Sequence, residues 1–245
     1  AQAAAVFSTI VRIEETRKYG ESIYRFAQYV AIHINDTHPA LVIPELMRIF
    51  MDEEGLSWQS AWEITVRTVA YTNHTILPEA LEKWSIPMFK DLLPRIYLII
   101  EEINNRWLQE VRRRYPGDEN KARDVAILWD GQIHMAHLSV LGSHSVNGVA
   151  EIHSQILKDS TLHQFYTCFP QRFSNKTNGI SHRRWLIEAN PKLASLIDDT
   201  IGDKWRKTPA RLSELMAYKD DASFKEQLAK VKTERKEWLA RYIKD

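Results

Sequence analysis

The chain has a single cysteine, Cys168, so no disulfide can form within it and a reducing compartment is its natural setting. It has no surplus of either charge: 33 basic side chains face 32 acidic ones, for a net +1. That balance removes the basic face that nucleic acid or an anionic membrane surface would require. No apolar run approaches the ~20 residues needed to span a bilayer. The first residues, Ala1-Gln2-Ala3-Ala4-Ala5-Val6, have neither a positive leader nor an apolar h-region, so they are not a secretory signal. An initiating Met is missing too, and both ends are expected to be cut from a longer protein. No repeat, low-complexity tract or linker interrupts the sequence.

Hydrophobic residues make up 44% of the chain, enough for a core, and the 8 tryptophans are many for 245 residues. Val6, Ile10 and Ile13 at helical spacing predict a helix over 1–18. Tyr29 to Ile34 is a short apolar, β-branched run that reads as a buried parallel strand ending at Asn35-Asp36. A helix from about Pro39 and Pro44 to Met51 follows, closed by Gly55. Ser57 is a candidate N-cap for another, with Trp58, Trp62, Thr65, Val66 and Val69 on one face, running into a second strand at 69–74. Strand, helices and strand in this order predict a βαβ crossover.

The longest helical pattern spans Leu92 to Tyr115, with Leu93, Ile96, Ile100, Ile103, Trp107 and Val111 in register and Pro116-Gly117 as its stop. Asp130-Gly131, between 125–129 and 132–135, predicts a hairpin with a type I′ turn. Ser145 to Leu157 reads as a turn entering a helix, Phe173 to Ile180 as a loop, and Ala222 to Ile243 as an amphipathic helix. The pattern as a whole is one helix-rich α/β domain with parallel strands.

Chemistry gathers at the two predicted strand ends, Asn35-Asp36-Thr37-His38-Pro39 and Tyr71-Thr72-Asn73-His74-Thr75. Open parallel sheets bind ligands beyond the carboxyl ends of their strands. These loops supply both donors and acceptors, which a polyhydroxylated ligand demands, and Glu79 and Glu82 follow within reach. Equally, Asp36 or Thr37 could simply cap the next helix. A metal reading would pair His33 with His38, or His134 with His137, with His144 and His153 nearby. No H-E-x-x-H and no Cys–His set with zinc spacing supports it, and no metal is expected. A glycosidase would use two carboxylates, such as Asp36 and Glu82. Gly142 and Gly148 do not frame a phosphate loop, and Arg112-Arg113-Arg114 suits a helix C-terminus.

As whole strings these segments resemble one family. Ile34-Asn35-Asp36-Thr37-His38-Pro39-Ala40 with Ile43-Pro44-Glu45-Leu46-Met47-Arg48, Ala70-Tyr71-Thr72-Asn73-His74-Thr75 with Leu77-Pro78-Glu79-Ala80-Leu81-Glu82-Lys83-Trp84, and Met135-Ala136-His137-Leu138 are similar to the glycogen phosphorylases. So are Gly142-Ser143-His144, Val146-Asn147-Gly148-Val149-Ala150, His153-Ser154, and Asn175-Lys176-Thr177-Asn178-Gly179-Ile180 with Arg183-Arg184-Trp185. The strings keep the family's order and spacing over essentially the whole chain, which matches only a central stretch of that longer protein.

The resemblance implies a piece of a GT-B glycosyltransferase fold, two Rossmann-like domains facing across a cleft. Residues 1–245 would belong to the N-terminal catalytic half, without the C-terminal domain whose lysine carries pyridoxal phosphate. The parent's implied reaction is phosphorolysis of an α-1,4-glucan, glycogen or maltodextrin, with inorganic phosphate to give α-D-glucose 1-phosphate; this piece alone is expected to be inactive. The resemblance also implies a cytoplasmic homodimer. It matches His74 to a histidine whose main-chain carbonyl faces the reacting sugar, and Asn178 to an asparagine that binds glucosyl hydroxyls. Asn35, Asp36, His38, Thr75 and Glu82 match the polar pocket beside the anomeric carbon, and Trp185 an aromatic near the cofactor. One departure is clear: Ser181-His182 stands where the family has Thr-Pro, which puts the stiffness of the loop before Trp185 in question.

Because no segment of the chain resembles the family's cofactor-lysine region, the chain alone should bind no pyridoxal phosphate covalently. Borohydride reduction and peptide mass mapping should yield no pyridoxyl-lysine; a specific, stoichiometric adduct would overturn the expectation.

Overall fold

The computed structural model describes residues 22–244, so the helix expected over 1–18 lies outside the described residues. The single domain suggested by the pattern is divided into two compact units, one running to Asn178 and one from Gly179.

In the first unit a short helix α1 (Phe26–Tyr29) leads into β1 (Ile32–Asn35), followed by α2 (Val42–Arg48), which widens to a π-type turn over Ile49–Glu53. Next come α3 (Trp58–Thr68), β2 (Val69–Thr72), β3 (Lys83–Ser85), α4 (Ile86–Leu92), α5 (Pro94–Arg114) and α6 (Glu119–Asp124). β4 (Leu128–Trp129), β5 (Gln132–His134), α7 (Met135–Leu141), β6 (Ser145–Gly148), α8 (Glu151–Ile156), α9 (His163–Cys168) and β7 (Phe173–Asn175) complete it. The second unit holds α10 (Pro191–Ile201) and α11 (Ala222–Lys244), with 3-10 segments at Asp203–Arg206 and Pro209–Tyr218.

The helix-rich α/β class with parallel strands is borne out. Four strands pair in the order β1-β2-β6-β7, every pair parallel, and β3-β5-β4 form a separate antiparallel sheet. Ile34, Val69, Tyr71 and Val146 bury the centre of the larger sheet. The first strand starts at Ile32 rather than Tyr29, because its partner begins at Val69, where α3 ends, and among the described residues Val30 and Ala31 have no strand to pair with. β6 and β7 occupy stretches read as turn and loop. Ser145, Asn147 and Gly148 are poor strand formers, and it is their place between β2 and β7 that fixes them as strand.

Ser57 caps α3 as expected, accepting from the Ser60 amide at 3.2 Å. The buried stripe of α3 is Ala61, Ile64, Thr65 and Thr68, one step round from the expected face. In α5, Ile96, Ile100, Ile103, Trp107 and Val111 are buried in register, but Leu93 is an exposed N-cap. Asp130 and Gly131 both have positive φ, 51° and 69°, as a type I′ hairpin turn requires. Arg112 reaches Glu119, while Arg113 and Arg114 converge on Glu110, so the basic cluster ending α5 is paired as well as suited to the helix dipole.

One buried polar group closes the gap between α5 and the hairpin. Asn104 Oδ1 accepts from the amides of Ile127, at 2.9 Å, and Leu128, at 3.3 Å, while the Trp107 indole N–H donates to the Val125 carbonyl at 3.1 Å. Asn104→Ala would leave two donors unpaired, so it should cost about 2–5 kcal/mol in chemical denaturation. The exposed neighbour Asn105, changed to Ala, should stay within about 0.5 kcal/mol of wild type.

Candidate functional site

Because the four strands run parallel, their carboxyl ends share one edge, and the register sets Asn35 level with Thr72, Thr72 with Asn147, and Gly148 with Asn175. Asn35 and His74 meet there: His74 Nε2 lies 2.5 Å from Asn35 Oδ1, so the imidazole donates through Nε2. Among the described residues no group donates to the main-chain carbonyl of His74, which stays available as an acceptor.

Asp36 has a φ of 62°, left-handed for a residue with a Cβ. Its amide donates to the Thr72 carbonyl at 2.9 Å, and its Oδ1 accepts from the Thr37 amide at 2.8 Å. The buried Thr37 hydroxyl donates to Glu82 Oε2 at 2.8 Å, and the Trp84 indole N–H to Glu82 Oε1 at 2.9 Å. Exposed His38 lies between the two carboxylates, 4.0 Å from Asp36 and 3.9 Å from Glu82. The helix-cap alternative fails: α2 begins after Leu41 with no side-chain cap, and Thr37 points its hydroxyl at Glu82. Glu79 is exposed and joins none of these contacts.

A second layer of residues, not assigned to the site from sequence, supports this edge. Asn73 is fully buried; its amide donates to the Asn147 carbonyl at 2.9 Å and its Nδ2 to the Tyr71 hydroxyl at 3.0 Å. Its Oδ1 accepts from the Thr75 amide at 3.0 Å and from His153 Nε2 at 3.1 Å. The Val149 amide donates to His153 Nδ1 at 3.0 Å, and a main-chain N–H can only donate, so His153 is the neutral Nε2–H tautomer. Burial first, and then the nearby His74, hold its pKa below the usual value. Thr72 donates to Asn147 Oδ1 at 2.8 Å and so accepts from His33 Nε2 at 2.6 Å. The one available signal for Asn73 was an amide residue at a strand end, flanked by site residues on both sides.

Gly148 is required where α8 starts. A Cβ there would come 2.7 Å from Ser154 Oγ and 3.0 Å from Ser154 main-chain atoms. The following loop is tied to the same strand end, with the Lys176 amide on the Gly148 carbonyl at 3.1 Å and the Asn178 amide on the Val149 carbonyl at 3.0 Å. The Asn178 side chain is exposed beside that edge.

Trp185 belongs to the second unit, on the π-type turn Arg183–Glu188, with its indole 70% exposed and Arg183 and Arg184 exposed beside it. Directly before it, His182 is buried against Trp205, and its Nε2–H donates to the Arg206 carbonyl at 2.8 Å. The segment before Trp185 is thus held by a tertiary hydrogen bond.

The other histidines are engaged elsewhere, and among the described residues no three His, Cys, Asp or Glu gather as metal donors. His134 and His137 stack at 5.1 Å, and His137 Nδ1–H donates to the Ala126 carbonyl at 2.6 Å. Burial above all lowers the His137 pKa to about 4. Among the described residues no helix is long and apolar enough to cross a membrane.

A family model described as carbohydrate phosphorylase matches residues 2–245. The chain is 53% identical over 231 residues to glycogen phosphorylase from Bacillus subtilis, covering 94% of this chain and 29% of that protein. It is 47% identical over 249 residues to the muscle form from Bos taurus, covering 98% and 30%. It is 46% identical over 225 residues to glycogen phosphorylase from Synechocystis, covering 91% and 26%. The chain therefore spans under a third of the length of these relatives.

His137 and His153 make folding sensitive to acid. Both have folded-state pKa values below the unfolded value near 6.5, so the unfolded chain takes up protons first as pH falls. Stability should be fully present above about pH 6.5 and decline towards pH 4, with a slope of up to about 1.4 kcal/mol per pH unit from His137. Denaturation midpoints of the full-length protein between pH 7 and 4.5 check this, and His137→Asn, which keeps a donor for Ala126, should flatten the slope.

Proposed function

We infer from this chain, which belongs to the carbohydrate phosphorylase family, that it forms part of the glucan-cleaving site of an α-1,4-glucan phosphorylase. The full-length protein would pass the terminal glucosyl unit of glycogen or maltodextrin to inorganic phosphate, releasing α-D-glucose 1-phosphate. The observation that supports this most directly is the sheet edge itself. Strings shared with the family converge there, with Asn35 on His74 and Asp36, His38 and Glu82 around Thr37.

In this reading, Asn35, Asp36, His38, Thr75 and Glu82 orient sugar hydroxyls, each of which needs both a donor and an acceptor. Asn178 adds both from one amide. The His74 carbonyl faces the anomeric carbon and stabilises positive charge as an oxocarbenium-like centre develops; the Asn35–His74 bond fixes the ring while leaving that carbonyl free. Pyridoxal phosphate is proposed as the cofactor, its phosphate supplying proton exchange with inorganic phosphate. Exposed Trp185, beside two exposed arginines, is chemically suited to lie against such a phosphorylated aromatic ring, whereas no segment here resembles the lysine region that would bond to it. A GT-B arrangement, a homodimer and a cytoplasmic site belong to the same proposal.

The rival reading is hydrolysis by Asp36 and Glu82. It is disfavoured because Glu82 accepts on both oxygens, from Thr37 and Trp84, which suits a positioning role.

Incubating the full-length protein with glucan should release glucose 1-phosphate only when inorganic phosphate is present; free glucose without a phosphate requirement would favour hydrolysis. In that assay Asn178→Ala should lose about 1–3 kcal/mol of transition-state stabilisation, spread over kcat and KM. It should be at least as damaging as His74→Ala, which keeps the main-chain carbonyl. A folded, near-wild-type Asn178→Ala enzyme would remove that residue from the site.

A further inference from the structure

A cavity of about 450 Å3 lies between α3, α5 and the segment after α9, and none of its lining residues belongs to the sheet-edge site. Its walls are aromatic, formed by Trp58, Trp62, Trp107 and Phe169. Trp107 and Phe169 stack at 5.2 Å, and the Arg172 guanidinium covers the Phe169 ring at 4.1 Å. Arg106 lies 4.7 Å over Trp58. Among the described residues half-buried Trp62 stacks on no other ring, and neither the Trp58 nor the Trp62 indole N–H makes a hydrogen bond.

The polar lining is unbalanced. Arg172 Nη1 donates to the carbonyls of Val140 and Leu141, each at 3.2 Å, and Ser143, at 2.9 Å. Among the described residues it meets no carboxylate at ion-pair distance, and burial together with Arg114 disfavours its charge. A guanidinium stays protonated in proteins, so this one is a partly desolvated cation short of counter-charge. The cavity's single carboxylate, Glu110, is already committed to Arg113 and Arg114. Arg106 is paired with Glu102 at 2.6 Å and Arg114 with Glu110, which leaves Arg172 as the lining cation without a carboxylate partner among the described residues.

A neutral sugar would leave the Arg172 charge unmet. A carboxylate only accepts, and a flat ring would give Trp62 the stacking partner it lacks. We propose that this cavity is a second ligand site, for an aromatic carboxylate whose ring packs on Trp62 and whose charge is met by Arg172 and Arg114.

The test is calorimetric titration of the full-length protein with 2-naphthoate, beside the neutral isostere 2-naphthalenemethanol and, as a competitor, maltoheptaose. One equivalent of naphthoate should bind, with the alcohol at least about tenfold weaker because it lacks the charge-assisted contact. Trp62→Leu and Arg114→Gln, both at partly exposed positions, should each weaken binding by about fivefold or more while circular dichroism shows both variants still folded. Absence of naphthoate binding, equal binding of the alcohol, folded variants that bind as wild type, or displacement of naphthoate by maltoheptaose would each overturn the proposal.

Discussion

A primary amide buried without water must find partners for its oxygen and its nitrogen, or the fold loses about 1–3 kcal/mol for each group left over. Asn73 meets that demand from three directions. Tyr71 on its own strand accepts from the amide nitrogen; Thr75 in the following turn and His153 on α8 donate to the oxygen. Its main-chain N–H reaches β6 as well. The turn that carries His74 therefore cannot shift without breaking bonds to β2, β6 and α8 together. Asn35, on β1, then holds the His74 ring from the other side. Rigidity at this edge comes from hydrogen bonds that must be kept, while the sheet beneath supplies the apolar packing.

How much of this could be read from the sequence depended on where the controlling contact lay. α5 and the Asp130-Gly131 hairpin were legible because their signals are local: a long helical period, and a dipeptide suited to positive φ. β1 and β2 were legible as apolar, β-branched runs, though β1 was placed too early because its true start is set by Val69 across the sheet. β6 and β7 were not, since Ser145-Val146-Asn147-Gly148 and Phe173-Ser174-Asn175 become strands only through neighbours far along the chain. The site divides in the same way. Asn35, Asp36, His38, His74, Thr75 and Glu82 stood out as polar residues at strand ends or through family strings. The Asn73–His153 pair escaped, because nothing local couples residues 80 positions apart. Whether Asp36 and Thr37 capped a helix could not be decided from the pattern; the Thr37–Glu82 bond decides it.

The second unit shows a different economy of means. Trp205 is buried, donates its indole N–H to Asp198 at 3.0 Å and packs against His182, while Arg206 grips the same carboxylate. His182 then returns a hydrogen bond to the Arg206 carbonyl. His182 thus ties the segment before Trp185 to the rest of the unit through tertiary structure, and that constraint lasts only as long as the unit stays folded.

The all-parallel pairing also sets an order of assembly. Neighbouring strands cannot be joined by tight turns, so the sheet edge is closed over long stretches: 39 residues between Asn35 and His74, 75 between Thr72 and Asn147, 80 between Asn73 and His153. Each closure must be met by chain entropy before its contacts form, which makes such pairings slow relative to local structure. On a ribosome, β1 and β2 emerge long before α8. During that interval the amide of Asn73 faces water in a half-built sheet, and the edge β2 will share with β6 is open to other chains. The polar centre that later locks this sheet edge is therefore among the last things to be finished, and the nascent protein depends most on protection while that edge is still incomplete.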